Sequence, residues 1–182
     1  ADMKRMGSLA KVGPPLREKQ DVEALWKAVD EGRIDVIGSD TAGHMVAAQE
    51  PHFDEVFKAP SGLPGQETMF IVTYDEGVNK GRTTLPRLVE LTSERPAKIF
   101  GIYPRKGVLA KGSDADLVIF DPTASYTIEA ATQHATVDYT MYEGRKCLGA
   151  PTFVMQRGKI LVEDGELKAK PGQGKYLPAK LN

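Results

Sequence analysis

The sequence predicts an α/β fold for residues 1–104 and a mostly β fold beyond them. Between residues 9 and 40, two short apolar runs flank a segment whose apolar residues recur at helical spacing. Strand, helix and strand joined by short connections are typical of an α/β unit with parallel strands. After Pro104, short runs rich in β-branched and aromatic residues alternate with Gly-Asp, Asp-Pro and Asp-Gly turn sequences. This alternation predicts β-strands joined by turns.

The composition excludes several classes of function. The chain has 182 residues, with 24 Lys and Arg against 25 Asp and Glu, so no basic excess indicates a nucleic-acid partner. No apolar run reaches the roughly 18 residues that cross a membrane, and residues 1–15 contain no apolar segment of signal-peptide length. Cys147 is the single cysteine, which rules out an internal disulfide and a cysteine-based zinc site. We therefore expect a cytoplasmic protein without a membrane or nucleic-acid partner.

The first α/β unit has clear local signals. The run "LAKVG", residues 9–13, predicts a strand that ends at the following double proline. The stretch "KQDVEALWKAVDEGRI" predicts a helix with Asp21 as the N-cap and Gly32 as the residue that ends it. Its apolar residues lie at i, i+3, i+4 and i+7, so we expect Trp26 to lie in the core.

A second strand is predicted at "IDVIGSD", Ile34 to Asp40. Ligands bind at the carboxyl ends of the strands in parallel α/β architectures. A carboxylate at this point, such as that of Asp40, can bind a metal or act as a general base. The alternative is that Asp40 is an N-cap or turn residue, because Ser-Asp is common at both.

The segment from Thr41 to Gly65 shows no periodicity and is rich in glycine and proline. A loop of this length is more often functional than an ordinary connection. His44 and His52 fit no standard zinc spacing, and we expect both to be solvated. "PSGLPGQET", starting at Pro60, predicts turns before a helix, where main-chain groups or a serine hydroxyl could bind a polar ligand. Ordinary turn chemistry is the alternative.

Two more helices precede residue 104. Residues 67–82 have a helical pattern, and residues 83–102 start with Thr84 as a cap. We expect Pro96 to break the second helix and a short helix to follow and end at Gly101.

The β region contains one hairpin candidate and one acidic turn. "TFVMQRGKILVEDG" predicts a hairpin with Arg157-Gly158 or Gly158-Lys159 at its tip. "GSDAD", residues 112–116, lacks the spacing and the terminal glutamate of a calcium loop, so a β-turn is expected. His134 is expected to have a structural role, and the tail, residues 168–182, to be extended.

Several blocks of the sequence closely resemble the C-terminal part of dihydropyrimidinases and D-hydantoinases, which are cyclic amidohydrolases. The blocks are "AKVGPPLREKQDVEALWKAVDEGRIDVIGSD", "KAPSGLPGQET", "GVNKGRTTLPRLVELTSERPAKIFGIYPRKGVLAKGSDADLVIFDP" and "VMQRGKILVEDGELKAKPGQGKYLP". The resemblance extends from Met3 to Lys180. Allantoinases and dihydroorotases are near relatives of this group.

The resemblance implies a fold and an assembly. Residues 1–104 would be the last two βα units of a metal-dependent hydrolase (β/α)8 barrel, with "LAKVG" as the seventh strand and "IDVIGSD" as the eighth. Residues 105–167 would be the C-terminal part of a small β-sandwich domain, and residues 168–182 an extended tail. Members of this family are typically homotetramers, and the tail is a candidate subunit contact.

The resemblance also implies roles for four residues. Asp40 corresponds to the last ligand of a binuclear metal site, usually zinc. By the same resemblance, Asp40 would also be the catalytic group that carries a proton from the attacking hydroxide to the leaving nitrogen. Gly13 and the pair Ser61-Gly62 correspond to positions whose main chain holds the cyclic substrate. Ser61 replaces an asparagine of that pattern, which leaves the ring substrate open.

The remaining metal ligands of the family precede the seventh strand, and His44, His52 and His134 match none of them. We therefore expect this chain to be a C-terminal segment with one metal ligand that is inactive alone. The expected activity of the full-length parent is metal-dependent hydrolysis of a small cyclic amide, a hydantoin- or dihydropyrimidine-type ring. The alternatives are a non-catalytic dihydropyrimidinase-like scaffold protein and a relative of the allantoinase or dihydroorotase type.

Overall fold

The computed structural model describes residues 2–179, which form short helices followed by one sheet. The α-helices are α1 (Asp2–Met6), α2 (Lys19–Asp30), α3 (Val46–Gln49), α4 (Met69–Thr73), α5 (Leu85–Val89) and α6 (Arg95–Ile99). The strands are β1 (Leu117–Ile128), β2 (Arg145–Gln156), β3 (Lys159–Glu163) and β4 (Glu166–Leu167). Short 3-10 helices occur at Gly7–Ala10, Glu50–His52 and Ala130–Thr132, and π-helical turns at Tyr74–Val78 and Glu90–Glu94.

The sheet is antiparallel, with strand order β1-β2-β3-β4. The predicted hairpin is confirmed as β2 and β3, with Arg157-Gly158 at its tip. Both tip residues have positive φ angles, 50° and 74°, which a tight two-residue hairpin turn requires. Asp164 and Gly165 repeat this pattern between β3 and β4, with φ angles of 47° and 80°. Local turn chemistry therefore sets the register of the last three strands.

The Asp-Pro sequence at Asp121-Pro122 was expected to be a turn, and it lies inside β1 instead. The pairing of β1 with β2 shifts register between Asp121 and Ser125, which marks a bulge. Pro122 has no N–H for the ladder, while the Asp121 carboxylate accepts a hydrogen bond from the Thr123 amide at 2.8 Å. The interruption is therefore satisfied locally, and one long strand continues past it.

The two strands predicted in the first part are not formed within the described residues. Residues 7–10 form a 3-10 helix, and residues 34–40 have an irregular backbone without a strand partner. Each segment makes an isolated main-chain hydrogen bond, from the Gly62 amide to the Lys11 carbonyl at 3.0 Å and from the Ile37 amide to the Leu91 carbonyl at 3.1 Å. A β-strand requires a neighbouring strand along its length, so apolar sequence alone does not produce a ladder.

Helix α2 forms where the periodicity predicts it and ends before Gly32, whose φ angle is 74°. The predicted N-cap is wrong by three residues, because Glu18 is the N-cap. Asp21 lies at the third helical position, and its carboxylate accepts a hydrogen bond from the Glu18 amide at 3.2 Å. Trp26 is half-buried and packs so closely on Gly77 that an added Cβ there would lie 2.8 Å from the ring. Trp26 thus packs against a neighbouring helical segment, but it is only half-buried and does not lie in the core as expected.

The last helical segment is continuous where a break was expected. Thr84 caps α5, as predicted, by accepting a hydrogen bond from the Arg87 amide at 3.3 Å. The π-helical turn Glu90–Glu94 then leads directly into α6. Pro96 is the second residue of α6, directly after this π-helical turn, and the helix passes through it without a break. Gly101, with a φ angle of 65°, follows the end of the helix as expected.

The core lies between α4 and the sheet. Ile71 and Val72 of α4 pack against Ile128 and Cys147, and each of the four is less than 10% exposed. Burial of large apolar side chains contributes about 1.5–3 kcal/mol each, so this contact is a main source of stability. The ring of Phe120 adds edge-to-face contacts with helix aromatics, at 5.4 Å from Phe70 and 4.7 Å from Tyr74.

Candidate functional site

Three irregular segments that contain the predicted site residues are joined by main-chain hydrogen bonds. The amide of Gly62 donates to the carbonyl of Lys11, two residues before Gly13. The amide of Ala42, two residues after Asp40, donates to the carbonyl of Leu63 at 3.3 Å. The loop at residues 61–63 therefore lies between the segment that precedes Gly13 and the segment that follows Asp40.

Gly62 is buried, and its backbone approaches that of Ala42 closely. A Cβ added at Gly62 would lie 2.1 Å from the carbonyl oxygen of Ala42, and the φ angle of 146° is one that L side chains rarely adopt. Only glycine permits this approach of the two backbones. Gly13 is different, because a Cβ added there would meet no described atom within 4 Å. Its main chain borders open space, and its peptide bond to Pro14 is cis.

Asp40 is exposed and has a φ angle of 44°, in the left-handed region. Few residues other than glycine adopt this conformation, and aspartate and asparagine do so most readily. The structure argues against the N-cap alternative, because the next helix, α3, begins only at Val46. The Val46 amide donates instead to the carboxylate of Asp138 at 2.8 Å.

The histidines lie in separate contacts. His44 was expected to be solvated; it is partly exposed, and its Nε2 lies 3.4 Å from the carbonyl oxygen of Ser61. His52 lies in a 3-10 helix. His134 has the expected structural role, since its Nδ1 lies 2.8 Å from Glu67 Oε1 and its amide donates to Glu67 Oε2 at 2.8 Å.

The described residues do not form a complete metal site. Across residues 2–179, no three or more His, Cys, Asp or Glu side chains are grouped so that they could hold a cation. Asp40 supplies one carboxylate, and zinc sites in proteins use three or four protein ligands. The donor set of this chain therefore does not by itself fit a resident metal ion.

The acidic residues around Asp114 form an ion-pair cluster with two neighbouring basic side chains. Lys106 Nζ lies 3.0 Å from Asp114 Oδ2 and also contacts Asp116, while Arg105 Nε lies 3.1 Å from Asp114. Burial lowers the pKa of Lys106, but hydrogen bonds to Asp116 and Asp114 outweigh it and raise that pKa above its usual value. These carboxylates are thus neutralised by cations of the chain itself.

Sequence reasoning missed two polar side chains that contact the loop before Gly62. Lys11 Nζ donates to the carbonyl oxygens of Phe57 at 2.9 Å and Ala59 at 2.6 Å. Gln49 is fully buried, and its Nε2 donates to the carbonyl of Pro60 at 3.3 Å. In the sequence, Lys11 can be noticed only as a charged residue inside the apolar run "LAKVG". Nothing in the sequence indicates that Gln49 is buried.

Residues 13–161 match the sequence model of the amidohydrolase family. The chain belongs to that family. An L-hydantoinase from Paenarthrobacter aurescens is 42% identical over 176 residues, which cover 97% of this chain and 38% of the relative. A D-hydantoinase from Geobacillus stearothermophilus is 44% identical over 165 residues, which cover 90% of this chain and 35% of the relative. This amidohydrolase chain therefore spans little more than a third of the length of these curated relatives.

Solved structures show the same relation. A crystal structure of a D-hydantoinase matches with a TM-score of 0.91 and 41% identity, over 95% of this chain and 38% of that chain. The L-hydantoinase (dihydropyrimidinase) from Arthrobacter aurescens matches with a TM-score of 0.88 and 42% identity, over 93% of this chain and 38% of that one. The described α/β fold with its antiparallel sheet is similar to a segment of these enzymes. Within residues 2–179, no helix combines the length and apolarity that crossing a bilayer requires.

Proposed function

We propose that this chain is part of an amidohydrolase that hydrolyses a small cyclic amide, a ring of the hydantoin or dihydropyrimidine type. The observation that carries the proposal is the 42–44% identity to hydantoinases over 90–97% of the chain. Hydantoinases of both D and L type are among these relatives, so the proposal names the ring class and leaves its stereochemistry open.

The proposed architecture is that of the family. Residues 1–104 would supply the last two βα units of a (β/α)8 barrel, residues 105–167 the C-terminal part of a β-sandwich, and residues 168–182 a tail. Two features support this proposal. The irregular segments 7–13 and 34–40 flank α2, and their neighbouring strands would come from the remainder of the protein. The TM-scores of about 0.9 also extend over both proposed parts.

In this proposal Asp40 is both a metal ligand and the catalytic carboxylate. Bound metal, zinc in a binuclear site, would lower the pKa of a bound water and polarise the substrate carbonyl. The other ligands would come from the remainder of the protein. The carboxylate of Asp40 would take a proton from the attacking water and deliver it to the leaving nitrogen. Its exposure and left-handed backbone support this role, since unusual backbone conformations cluster at functional sites.

The main chain of Gly13, Ser61 and Gly62 is proposed to bind the ring. A cyclic amide presents N–H and C=O groups in a fixed plane, and main-chain groups of fixed orientation complement them. The close contact of Gly62 with Ala42 and the open space beside Gly13 support this assignment. A homotetramer in the cytoplasm is the proposed setting. Its support is the resemblance of the chain to this family.

The test compares this chain with the whole protein that contains it. We expect the whole protein to open hydantoin or dihydrouracil, followed by ultraviolet absorbance, and to contain zinc by mass spectrometry. We expect the 182-residue chain alone to do neither. Hydrolysis of allantoin or dihydroorotate in place of these rings would move the assignment to those relatives. A whole protein that opens none of the four rings and binds no metal would refute the proposal and favour the scaffold alternative.

A further inference from the structure

The loop that leads to Gly62 is bound through its carbonyl groups. Between Phe57 and Ser61, four carbonyl oxygens lie within hydrogen-bonding distance of side chains from elsewhere in the chain. The side chains are those of Lys11, Gln49 and His44. We call these three residues the loop clamp.

Lys11 is the centre of the loop clamp. Its ammonium group donates to Phe57 and Ala59, and its own carbonyl accepts from the amide of Gly62. Hydrogen bonds from a charged donor are about twice as strong as neutral ones. Lys11 therefore contacts both ends of the loop. Its side chain binds Phe57 and Ala59, which are 46 and 48 residues away in sequence, and its main chain binds Gly62.

Gln49 contributes a buried amide. Gln49 is fully buried. Ser8 Oγ donates to its main-chain carbonyl oxygen at 2.8 Å, and its side-chain Nε2 donates to the carbonyl of Pro60. Among the described residues, its Oε1 accepts no hydrogen bond. The hydrogen bond that the structure gives this side-chain amide is the one from its Nε2 to the carbonyl of Pro60 in the loop. The Gln49 amide is therefore better explained by its contact with the loop than by a contribution to the core.

His44 completes the loop clamp. The carbonyl oxygen of Ser61 can only accept, so a hydrogen bond across the 3.4 Å to His44 Nε2 requires the tautomer that carries its proton on Nε2. This contact acts on the peptide that joins Ser61 to Gly62. Together with the hydrogen bond from the Gly62 amide to the Lys11 carbonyl, the loop clamp determines the direction of the main-chain groups at Ser61 and Gly62.

We propose that Lys11 is a positioning residue which, with Gln49 and His44, holds the Ser61–Gly62 main chain in the conformation that receives the substrate ring. The inference rests on the proposed function, in which that main chain binds the ring. A loop ordered before binding loses less conformational entropy when the ligand arrives, which increases affinity. The clamp thus acts on substrate binding through the backbone, without contact between its side chains and the substrate.

The first test measures the loop itself by hydrogen–deuterium exchange in the 182-residue chain. In Lys11→Met we expect the Gly62 amide to exchange about tenfold faster, because two charge-assisted bonds are lost. Lys11→Arg keeps the charge and is expected to restore slow exchange. Lys58→Met is the matched control, because Lys58 lies in the same loop and pairs on the surface with Glu55 at 2.6 Å. Unchanged Gly62 exchange in Lys11→Met would overturn the inference.

Exchange in strand β2 separates a local effect from unfolding. Faster exchange of β2 amides by the same factor as Gly62 would show a purely structural role for Lys11 and would also overturn the inference. Gln49→Leu gives a second measurement should Lys11→Met fail to fold. It is expected to speed Gly62 exchange by a larger factor than β2 exchange, and slow Gly62 exchange in this variant would contradict the clamp.

The second test uses the whole protein and its kinetics. Lys11→Met is expected to raise KM for the ring by about tenfold with a smaller change in kcat, because a contact made before and during the reaction is weakened. Lys11→Arg and Lys58→Met should retain the original KM. Faster loop exchange with an unchanged KM would refute the positioning role. Absence of hydrolysis by the unmodified protein would instead refute the proposed function, while the exchange data alone would still decide whether the clamp orders the loop.

Discussion

Replacement of Gly62 by alanine is expected to disrupt the candidate site more than a glycine-to-alanine replacement elsewhere in the loop of residues 41–65. The new Cβ would lie 2.1 Å from the Ala42 carbonyl oxygen and 2.5 Å from the Ala42 Cβ. Ordinary van der Waals contact begins at 3.4 Å, so the two backbones must separate by more than 1 Å. Neither partner is the end of a flexible side chain, so the movement must occur in the main chain.

The energetic effect follows from the contacts that this movement breaks. Separation of the Ala42 and Gly62 backbones by 1 Å breaks the hydrogen bond from the Ala42 amide to the Leu63 carbonyl, which is already 3.3 Å long. Each net hydrogen bond contributes about 0.5–1.5 kcal/mol, and overpacking adds about 1–3 kcal/mol. We therefore expect Gly62→Ala to lower the free energy of unfolding by about 2–4 kcal/mol.

Gly65→Ala is the matched control in the same loop. A Cβ at Gly65 would lie 3.7 Å from the Ser39 carbonyl oxygen, which is ordinary contact. Urea unfolding followed by the fluorescence of Trp26, the single tryptophan, reports the stability of both variants. Gly65→Ala should remain within about 0.5 kcal/mol of the original chain. If Gly62→Ala were equally stable, the close approach of the two backbones would not exist in solution and the reasoning would fail.

Three further predictions concern other parts of the chain. Asp40→Asn should abolish ring opening by the whole protein and reduce its zinc content, yet leave the urea midpoint of this chain unchanged, since asparagine also tolerates a φ angle of 44°; retained activity would exclude the proposed role. Burial raises the pKa of Asp75 and Glu76, but hydrogen bonds and neighbouring charges, including those of Arg145, outweigh this effect. The pKa of Asp75 is therefore held below its usual value of 3.8, and that of Glu76 below its usual value of 4.5. Their contribution to stability should therefore be complete above these values and be lost as pH falls through the lowered ones. Arg145→Met should destabilise the chain by about 2 kcal/mol at pH 7 and reduce this acid sensitivity; an acid-unfolding profile identical in shape to that of the unmodified chain would contradict the assignment. Gly149→Ala should destabilise by about 2–4 kcal/mol in thermal unfolding, because its Cβ would lie 2.7 Å from Phe120 and Tyr74 at a φ angle of 106°; an unchanged melting temperature would show that the aromatic contact is loose.

Features that depend on a few neighbouring residues could be predicted from the sequence. Helix α2, the Thr84 cap, the end at Gly101 and the hairpin tip at Arg157-Gly158 all formed as expected. Each depends on hydrogen bonds or backbone angles within about one turn of the chain, so the information is local. The resemblance to hydantoinases was also confirmed, because it rests on residue identity along the chain.

The tertiary structure decided where the segments meet. Apolar sequence at residues 9–13 and 34–40 predicted strands, yet a ladder requires neighbours that the described residues do not supply. Pro96 was expected to break a helix, but the helix continues through it from a preceding π-helical turn.

The candidate site divides in the same way. Motif resemblance singled out Asp40, Gly13 and Ser61-Gly62, and their proposed roles stay predictions. The contact of Gly62 with Ala42 and the hydrogen bonds from Lys11 to the loop could be recognised only in three dimensions, because they join residues 20 to 51 positions apart. The sequence by itself determined the family, helix α2, the Thr84 cap and the hairpin tip, since these depend on residue identity and short-range hydrogen bonding. Only the folded chain decided which carbonyl groups Lys11 would bind, because long-range contacts depend on the packing of every segment between them.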